Sequence, residues 1–217
     1  MPFVVAANRD EDHARPSLAA DWWSDAPEVL GGRDAMHGGT WLAMSRMGRF
    51  AAVTNLRGQR TKKRSRGLLV RNFIEEGETP VAEELRDYGG FHLLAGVAGD
   101  ELTHYSNAMP EPRAIAPGID GISNADPGVR WPKVDAGVEE LREAIATNDA
   151  EAVIERMLAF LARSIPGPRE ASPFVLGETY GTRSSTVIVV SGARTWFVEQ
   201  NWLRSGVRDG APRTFHW

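Results

Sequence analysis

The segment that most constrains the fold is a short apolar run near the start of the chain that ends abruptly in polar residues. Phe3 to Ala7 are five apolar residues in succession, which is typical of a β-strand buried on both faces. Asn8-Arg9-Asp10-Glu11 follow directly, so an amide, a guanidinium and two carboxylates stand where the strand is expected to end. Because Asn and Asp are also common turn residues, these four residues form either an ordinary turn or part of a site.

Short motifs containing glycine, tryptophan and polar residues occur along the rest of the chain. In order, they are Leu30-Gly31-Gly32-Arg33-Asp34, Gly38-Gly39-Thr40-Trp41-Leu42, Ala52-Val53-Thr54-Asn55, Ser65-Arg66-Gly67, Ile122-Ser123-Asn124, Trp131-Pro132-Lys133 and Tyr180-Gly181-Thr182-Arg183-Ser184-Ser185-Thr186. Together with the segment 6–16, they resemble the NRDE family, the bacterial relatives of transport and Golgi organisation protein 2. The resemblance covers nearly the whole chain, although membership of a family does not by itself assign a function.

The order of the predicted elements indicates an α+β protein. Strands, two helices, strands, two helices and strands follow one another, which favours segregated layers over alternating βαβ units. A four-layer αββα sandwich with antiparallel sheets is therefore expected over a single domain, residues 1–217. The resemblance implies the same architecture, that of the N-terminal nucleophile (Ntn) hydrolases. The first strand of that fold is absent from the sequence, so the strand at 3–7 is expected to lie at a sheet edge.

Apolar periodicity and turn residues predict the individual elements. Strands are expected at 3–7, 40–44, 49–53, 91–98, 102–105, 113–116, 118–122, 186–190 and 195–198, and helices at 67–76, 79–88, 134–145 and 154–165. Residues 16–27 and 166–179 are predicted loops, and Gly31 to Asp34 a predicted turn.

Four polar residues end or directly precede predicted strands, and we expect their side chains to converge on one pocket. They are Asp10, Asn55, Asn124 and Arg183. The resemblance to cysteine-type Ntn hydrolases implies that Asp10 orients a terminal amine and that the two Asn side chains donate to an oxyanion. It also implies that Arg183 stabilises charge near the nucleophile. A well-placed Asn donor contributes on the order of 3 kcal/mol of transition-state stabilisation.

The nucleophile that the resemblance implies, a cysteine after the initiator Met, is absent. The chain has no cysteine, and Pro2 offers neither a thiol nor a hydroxyl. Whether the protein is an enzyme is therefore open. One expectation is a ligand-binding or trafficking protein that keeps the Ntn-like pocket without its nucleophile. The alternative is a cysteine Ntn amidohydrolase that acts on non-peptide C–N bonds, with its true Met-Cys start lying upstream.

Aromatic and cationic side chains near these positions predict a small amphipathic ligand. The expected ligand contacts are Asn8, Arg9, Arg33, Trp41, Trp22 and Tyr180. Arg33 or Arg183 would meet a carboxylate of the ligand. No cofactor is required, and haem is a candidate ligand because the resemblance associates the family with the handling of haem and lipid metabolites.

Two of these expected contacts also have a purely structural interpretation. Arg9 can form an ion pair with Asp34 or Glu11. Trp22 and Trp23 are adjacent and cannot share one face of a strand, so one of them can pack on the core while the other lies on the surface. The alternative is an aromatic wall beside the ligand.

Composition narrows the classes of function. Hydrophobic residues make up 42% and charged residues 25% of the chain, and the net charge is −4, as in ordinary soluble globular proteins. No window is apolar enough to span a membrane and no signal peptide is evident, so a cytoplasmic location is expected. Without cysteine there is no disulfide framework and no thiolate metal site. No glycine-rich phosphate loop is present.

Basic residues and histidines offer weaker signals. The segment 57–66 holds six basic residues in ten and is predicted to be a solvated loop, with an anion contact as the alternative. Nucleic acid is not an expected partner because no aromatic residue interleaves with the basic ones and the chain is acidic. The five histidines lack metal-ligand spacing; His92 and His104 are interpreted as hydrogen-bonded strand residues. The sequence leaves the oligomeric state open.

Overall fold

The computed structural model describes residues 1–58, 63–81 and 83–217, which form two antiparallel sheets and three α-helices. The strands are β1 (Phe3–Asp12), β2 (Ser17–Trp22), β3 (Val29–Asp34), β4 (Leu42–Ser45), β5 (Arg49–Asn55), β6 (Phe91–Val97), β7 (Leu102–Ser106), β8 (Arg113–Ile115), β9 (Tyr180–Ser191), β10 (Arg194–Asn201) and β11 (Arg213–His216). The helices are α1 (Gly67–Glu76), α2 (Pro132–Ile145) and α3 (Ala150–Leu161). None of these helices combines the length and apolarity needed to cross a bilayer.

The chain separates into two compact units. The first unit comprises Met1–Arg15, Gly118–Gly121 and Arg130–Trp217, and the second comprises Pro16–Pro117 and Ile122–Val129. Each unit contains one of the sheets.

The first unit is a four-stranded sheet with the order β1-β9-β10-β11, covered on one face by α2 and α3. Helix α3 begins at Asp149, whose carboxylate accepts hydrogen bonds from the amides of Glu151 and Ala152 and so caps two of the free N–H groups. Its apolar stripe, including Val153 and Met157, packs on the valines of β9 and β10. Burial of this stripe holds the helix pair against the sheet.

The second unit is a seven-stranded sheet in which β2 to β8 follow one another in chain order. Helix α1 packs on one face of this sheet through Leu69, Val70 and Phe73. It ends at Gly77, which adopts φ +77°, a conformation that glycine accommodates without a Cβ clash. Helix and sheet share one apolar core, which also contains Trp23.

Most of the predicted elements are confirmed, and so is the α+β class with antiparallel sheets. The hairpins β4–β5 and β9–β10, the strands β6, β7 and β8, and the three helices α1, α2 and α3 all occur at the predicted positions. Strand β1 lies at an edge of its sheet, as predicted. Part of the basic segment, residues 59–62, lies outside the described residues.

The prediction for the first strand is wrong in its length and burial. Strand β1 extends to Asp12 and is mostly half-buried, so Asn8, Arg9 and Asp10 lie within the strand and not at its end. Strand β9 likewise begins at Tyr180, which places Arg183 inside it. The two strands pair over nearly their whole length, so these polar residues lie within the paired strands, and Arg183 falls at an irregularity of the register.

Four further predictions are wrong, in segments rich in glycine or polar residues. Residues 17–22 form β2 and not a loop, and Gly31 to Asp34 belong to β3 and not to a turn. Residues 118–122 form no strand, and Gly118 at their start has φ +149°. Of the expected helix over 79–88, only the 3₁₀ turn Glu84–Asp87 forms among the described residues. Strand β11 was not predicted.

The glycines of β3 serve close packing. A Cβ on Gly32 would lie 2.2 Å from the Cη2 and Cζ2 atoms of Trp41, and a Cβ on Gly31 would lie 2.6 Å from the carbonyl oxygen of Leu42. Glycine at these two positions therefore lets the neighbouring chain approach the strand.

We expect Gly32→Ala to destabilise the protein by about 1–3 kcal/mol, because the new methyl group overlaps the ring of Trp41. Urea unfolding measures the loss. When Trp41 is first replaced by leucine, the methyl group of Gly32→Ala meets no ring. The loss of stability caused by Gly32→Ala should therefore be smaller in the Trp41→Leu background than in the wild type. Equal costs in both backgrounds would contradict the packing role of Gly32.

Candidate functional site

The first unit builds a polar cluster around Asp10 in β1. The hydroxyl of Thr182 donates to Asp10 Oδ1 at 2.6 Å and itself accepts from the amide of Val175 at 2.9 Å. Asp10 Oδ2 accepts no hydrogen bond from any described residue. Burial raises the pKa of the Asp10 carboxyl above its ordinary value, and the Thr182 hydrogen bond and the charges of Lys133 and Arg169 offset this only in part.

A β-bulge sets the geometry of this cluster. Arg9 and Asp10 are consecutive in β1, whereas their partners in β9, Ser184 and Thr182, are two residues apart. Arg183 is therefore the extra residue, and its side chain is turned out of the regular alternation. Its Nη1 atom donates to three backbone carbonyl oxygens, those of Asp12, His13 and Arg15, at 2.9, 3.2 and 3.3 Å.

Tyr180 connects Asp10 to a cation. Its hydroxyl donates to the backbone oxygen of Asp10 at 3.0 Å, and the guanidinium carbon of Arg169 lies 4.7 Å from the centre of its ring. Burial, together with the negative charges of Asp10 and Glu11, raises the pKa of Tyr180 to about 12. The phenol is therefore a neutral hydrogen-bond donor at physiological pH.

Asn8 is committed to the interior of the first unit. Its Nδ2 atom donates to the carbonyl oxygens of Leu161 and Pro173 at 2.8 and 3.0 Å, and its Oδ1 atom accepts from the hydroxyl of Ser185 at 2.6 Å. Both amide protons and the oxygen are therefore engaged. The side chain holds β1 to the end of α3, and the predicted ligand contact of Asn8 stays a prediction.

The second unit brings Asn55 and Asn124 together. Asn124 Nδ2 donates to Thr54 Oγ1 at 2.7 Å and to the backbone oxygen of Asn55 at 2.8 Å. These bonds hold the segment 122–129 beside the end of β5. The exposed side chain of Asn55 makes no hydrogen bond with a described residue, so of the two predicted oxyanion donors only Asn55 has a free amide.

Two histidines support the same segment. His92 Nε2 lies 2.8 Å from the carbonyl oxygen of Ala125, which can only accept, so this nitrogen carries the proton. In neutral His92 the Nδ1 atom then accepts from His104 Nε2, 2.9 Å away. The interpretation of both as hydrogen-bonded strand residues is confirmed. No described group of three His, Asp or Glu side chains could hold a metal ion.

Arg33 and the two neighbouring tryptophans belong to the structure of the second unit. Arg33 donates to both oxygens of Asp25, at 2.7 and 3.1 Å, and stacks 4.2 Å from the ring centre of Trp23. Trp23 is buried, and its Nε1 donates to a backbone oxygen at 2.8 Å. Trp22 is half-buried under the guanidinium of Arg46, 3.8 Å from its ring centre. These contacts favour the packing interpretation of the tryptophan pair.

The ligand contacts predicted for Trp41 and Arg9 stay predictions. Trp41 is half-buried with its ring against Gly32. Arg9 is half-buried opposite Ser184, and its pairing with Asp34 or Glu11 stays a prediction.

Buried polar groups on β9 and β10 were not found from the sequence. Glu199 is 1% exposed, with Thr186 Oγ1 and Asn201 Nδ2 each 3.4 Å from its carboxylate oxygens. Ser184 is 2% exposed, and its hydroxyl makes no hydrogen bond with the described residues. An unsatisfied buried hydroxyl is unusual in a folded protein.

The fold and these clusters define an α+β protein with two antiparallel sheets that carries buried polar groups in its strands. A family model described as "Transport and Golgi organisation 2" matches residues 1–204. The chain belongs to this family.

Curated relatives agree with this family over almost the whole chain. The Bos taurus "Transport and Golgi organization protein 2 homolog" is 34% identical over 241 residues, covering 94% of this chain and 87% of the relative. The Homo sapiens homolog is 31% identical over 253 residues, covering 99% and 92%.

Among solved structures, the Caenorhabditis elegans N-acylethanolamine-hydrolyzing acid amidase (NAAA) ortholog has a TM-score of 0.44 and 12% sequence identity. The similarity covers 86% of this chain and 92% of that chain. A similarity at this level does not assign an activity.

We expect Asp10→Asn to stabilise the protein at pH 7. Because the folded-state pKa is raised, the ionised carboxylate opposes folding above that pKa, and this cost disappears as the pH falls and Asp10 takes up a proton. Urea unfolding should show a larger gain at pH 7 than at pH 4. The exposed Asp209→Asn is the control; an equal gain there would contradict the assignment.

We expect Tyr180→Phe to flatten the loss of stability at alkaline pH. Tyr180 ionises near pH 10 in the unfolded chain and near pH 12 in the folded protein. Because ionisation therefore favours the unfolded chain, wild-type stability falls as the pH rises from 10 to 12. Between pH 9 and pH 11 the wild type should lose about 1 kcal/mol more than Tyr180→Phe. Parallel losses in the two proteins would show that Tyr180 is not the group responsible.

Proposed function

We propose that the chain is a ligand-binding or trafficking protein for a small amphipathic metabolite with a carboxylate, haem included, and that the Asp10 cluster is its binding site. The observation that carries this proposal is the state of Asp10. The fold keeps an ionisable carboxyl where burial raises its pKa, and one of its oxygens has no donor among the described residues. Such a group costs stability and is typical of functional sites.

Two other features support a binding site here. The buried hydroxyl of Ser184 lacks a partner in the described chain and lies on β9 two residues from Thr182, the hydrogen-bond donor to Asp10. A bulge separates these two positions, and bulges are frequent beside functional sites. The curated relatives are named for transport, which is the class of function proposed.

Binding without catalysis is proposed because the 217 residues contain no thiol that could form an acyl intermediate. Oriented donors alone leave a residual acceleration of roughly 10³-fold over water in hydrolases that lose their nucleophile. For an amide bond this residual rate is too slow to observe.

Titrations with haem and with apolar carboxylates test the proposal. We expect the intrinsic tryptophan fluorescence of the wild type to change saturably, and Asp10→Ala to weaken the apparent affinity by about ten-fold, which corresponds to one charge-assisted contact. Asp209→Asn is the matched control. Absence of saturable binding by the wild type would contradict the proposal. Steady amide turnover by the 217-residue chain, lost in Asn55→Ala, would favour the amidohydrolase instead.

A further inference from the structure

We propose that Arg169 and Lys133 bind the ligand's carboxylate while Asp10 Oδ2 accepts an adjacent N–H, so that the site selects N-acyl amino acids. This inference rests on the proposed binding function and names the chemical class of its ligand. It also replaces the two arginines that the sequence predicted for the carboxylate.

Both predicted arginines already have a structural role. Arg33 is paired with both oxygens of Asp25, and this contact lowers the pKa of the Asp25 carboxyl. Arg183 directs Nη1 at three backbone oxygens, which fixes the turn after β1. A ligand carboxylate at Arg33 would have to compete with Asp25, and one at Arg183 would have to bind a guanidinium that already holds three backbone oxygens.

Arg169 is differently placed. It is exposed, and among the described residues it makes no ion pair; its contact is with the face of Tyr180, 4.7 Å from the ring centre. An arginine stacked on an aromatic ring keeps its in-plane N–H donors available for a carboxylate. The ring is itself fixed, since the Tyr180 hydroxyl donates to the backbone of Asp10 at 3.0 Å. The guanidinium is therefore held near Asp10 without being used by it.

Lys133 adds a second cation. It is half-buried in the first turn of α2, its amide donates to the backbone oxygen of Glu170 at 3.0 Å, and its ammonium lies 5.4 Å from the ring centre of Trp131. The bond to Glu170 places Lys133 next in space to the residue that follows Arg169. Both cations act on the Asp10 carboxyl and lower its pKa, which puts all three charges within one electrostatic neighbourhood.

The remaining acceptor decides the class of ligand. Asp10 Oδ1 accepts from Thr182, and Oδ2 accepts no hydrogen bond within the part of the chain that the structure describes. A ligand that satisfies this oxygen and both cations needs an N–H group beside a carboxylate. An N-acyl amino acid has this arrangement, and its acyl chain makes it amphipathic. A simple fatty acid lacks the N–H group and leaves Asp10 Oδ2 unpaired beside a second negative charge.

The test uses isothermal titration calorimetry of the full chain with N-dodecanoylglycine below its micelle concentration. Dodecanoic acid lacks the N–H group, and the methyl ester of N-dodecanoylglycine lacks the charge. We expect the wild type to bind N-dodecanoylglycine at least ten-fold more tightly than either comparison compound. Arg169→Gln and Lys133→Gln should each weaken its binding by about ten-fold, and Lys133→Arg should restore most of the loss. Arg194→Gln removes an exposed charge elsewhere in the first unit and should change nothing.

The outcomes separate this inference from the proposed function. Binding of N-dodecanoylglycine that is equal in wild type, Arg169→Gln and Lys133→Gln would overturn the inference and leave the binding function intact. Binding of haem or dodecanoic acid, with none of N-dodecanoylglycine, would do the same. If the wild type bound none of these compounds, both proposals would fail. Circular dichroism of each variant establishes that a lost affinity is not a lost fold.

Discussion

The antiparallel pairing of β1 with β9 is the interaction on which the candidate site depends. It brings Asp10 opposite Thr182 and Arg9 opposite Ser184, although nearly the whole chain separates the two strands in sequence. A regular ladder would have given these residues ordinary strand alternation. The one-residue bulge at Arg183 interrupts the ladder, directs that arginine to the backbone after β1, and leaves Asp10 with a single hydrogen-bond donor.

The polar residues near this pairing divide into two groups by how fully they are hydrogen-bonded. Asn8 and Arg183 are engaged by main-chain and side-chain partners, so they stabilise the strands that carry the site. Asp10 and Ser184 each retain an oxygen without a described donor. Since stability alone favours satisfied polar groups, the unsatisfied ones are the better candidates for contact with a ligand.

In the second unit, too, hydrogen-bonded polar side chains stabilise the chain around a side chain that has no described partner. Asn124 and His92 both hydrogen-bond to backbone oxygens, and through them the irregular segment 122–129 is held against the strands β5 and β6. Asn55, whose own side chain stays free, is positioned by its neighbours. Arg33 differs from Asn55. Its motif suggested a ligand contact, but its guanidinium donates to both carboxylate oxygens of Asp25.

The sequence by itself determined the α+β class, the helices and most strands, because apolar periodicity and glycine turns are local signals. It also named Asp10, Asn55, Asn124, Arg183 and Tyr180. Only the tertiary structure decided which of these side chains are hydrogen-bonded to described residues. The partners are far apart in the sequence, as Asn8 and Leu161 show with a separation of 153 residues, so no local pattern reveals them. The same reason explains the glycines of β3, which resemble a turn until Trp41 is seen against Gly32. Arg169, a single cation in a Pro- and Gly-rich loop, has no sequence signal and acquires its place from the ring of Tyr180.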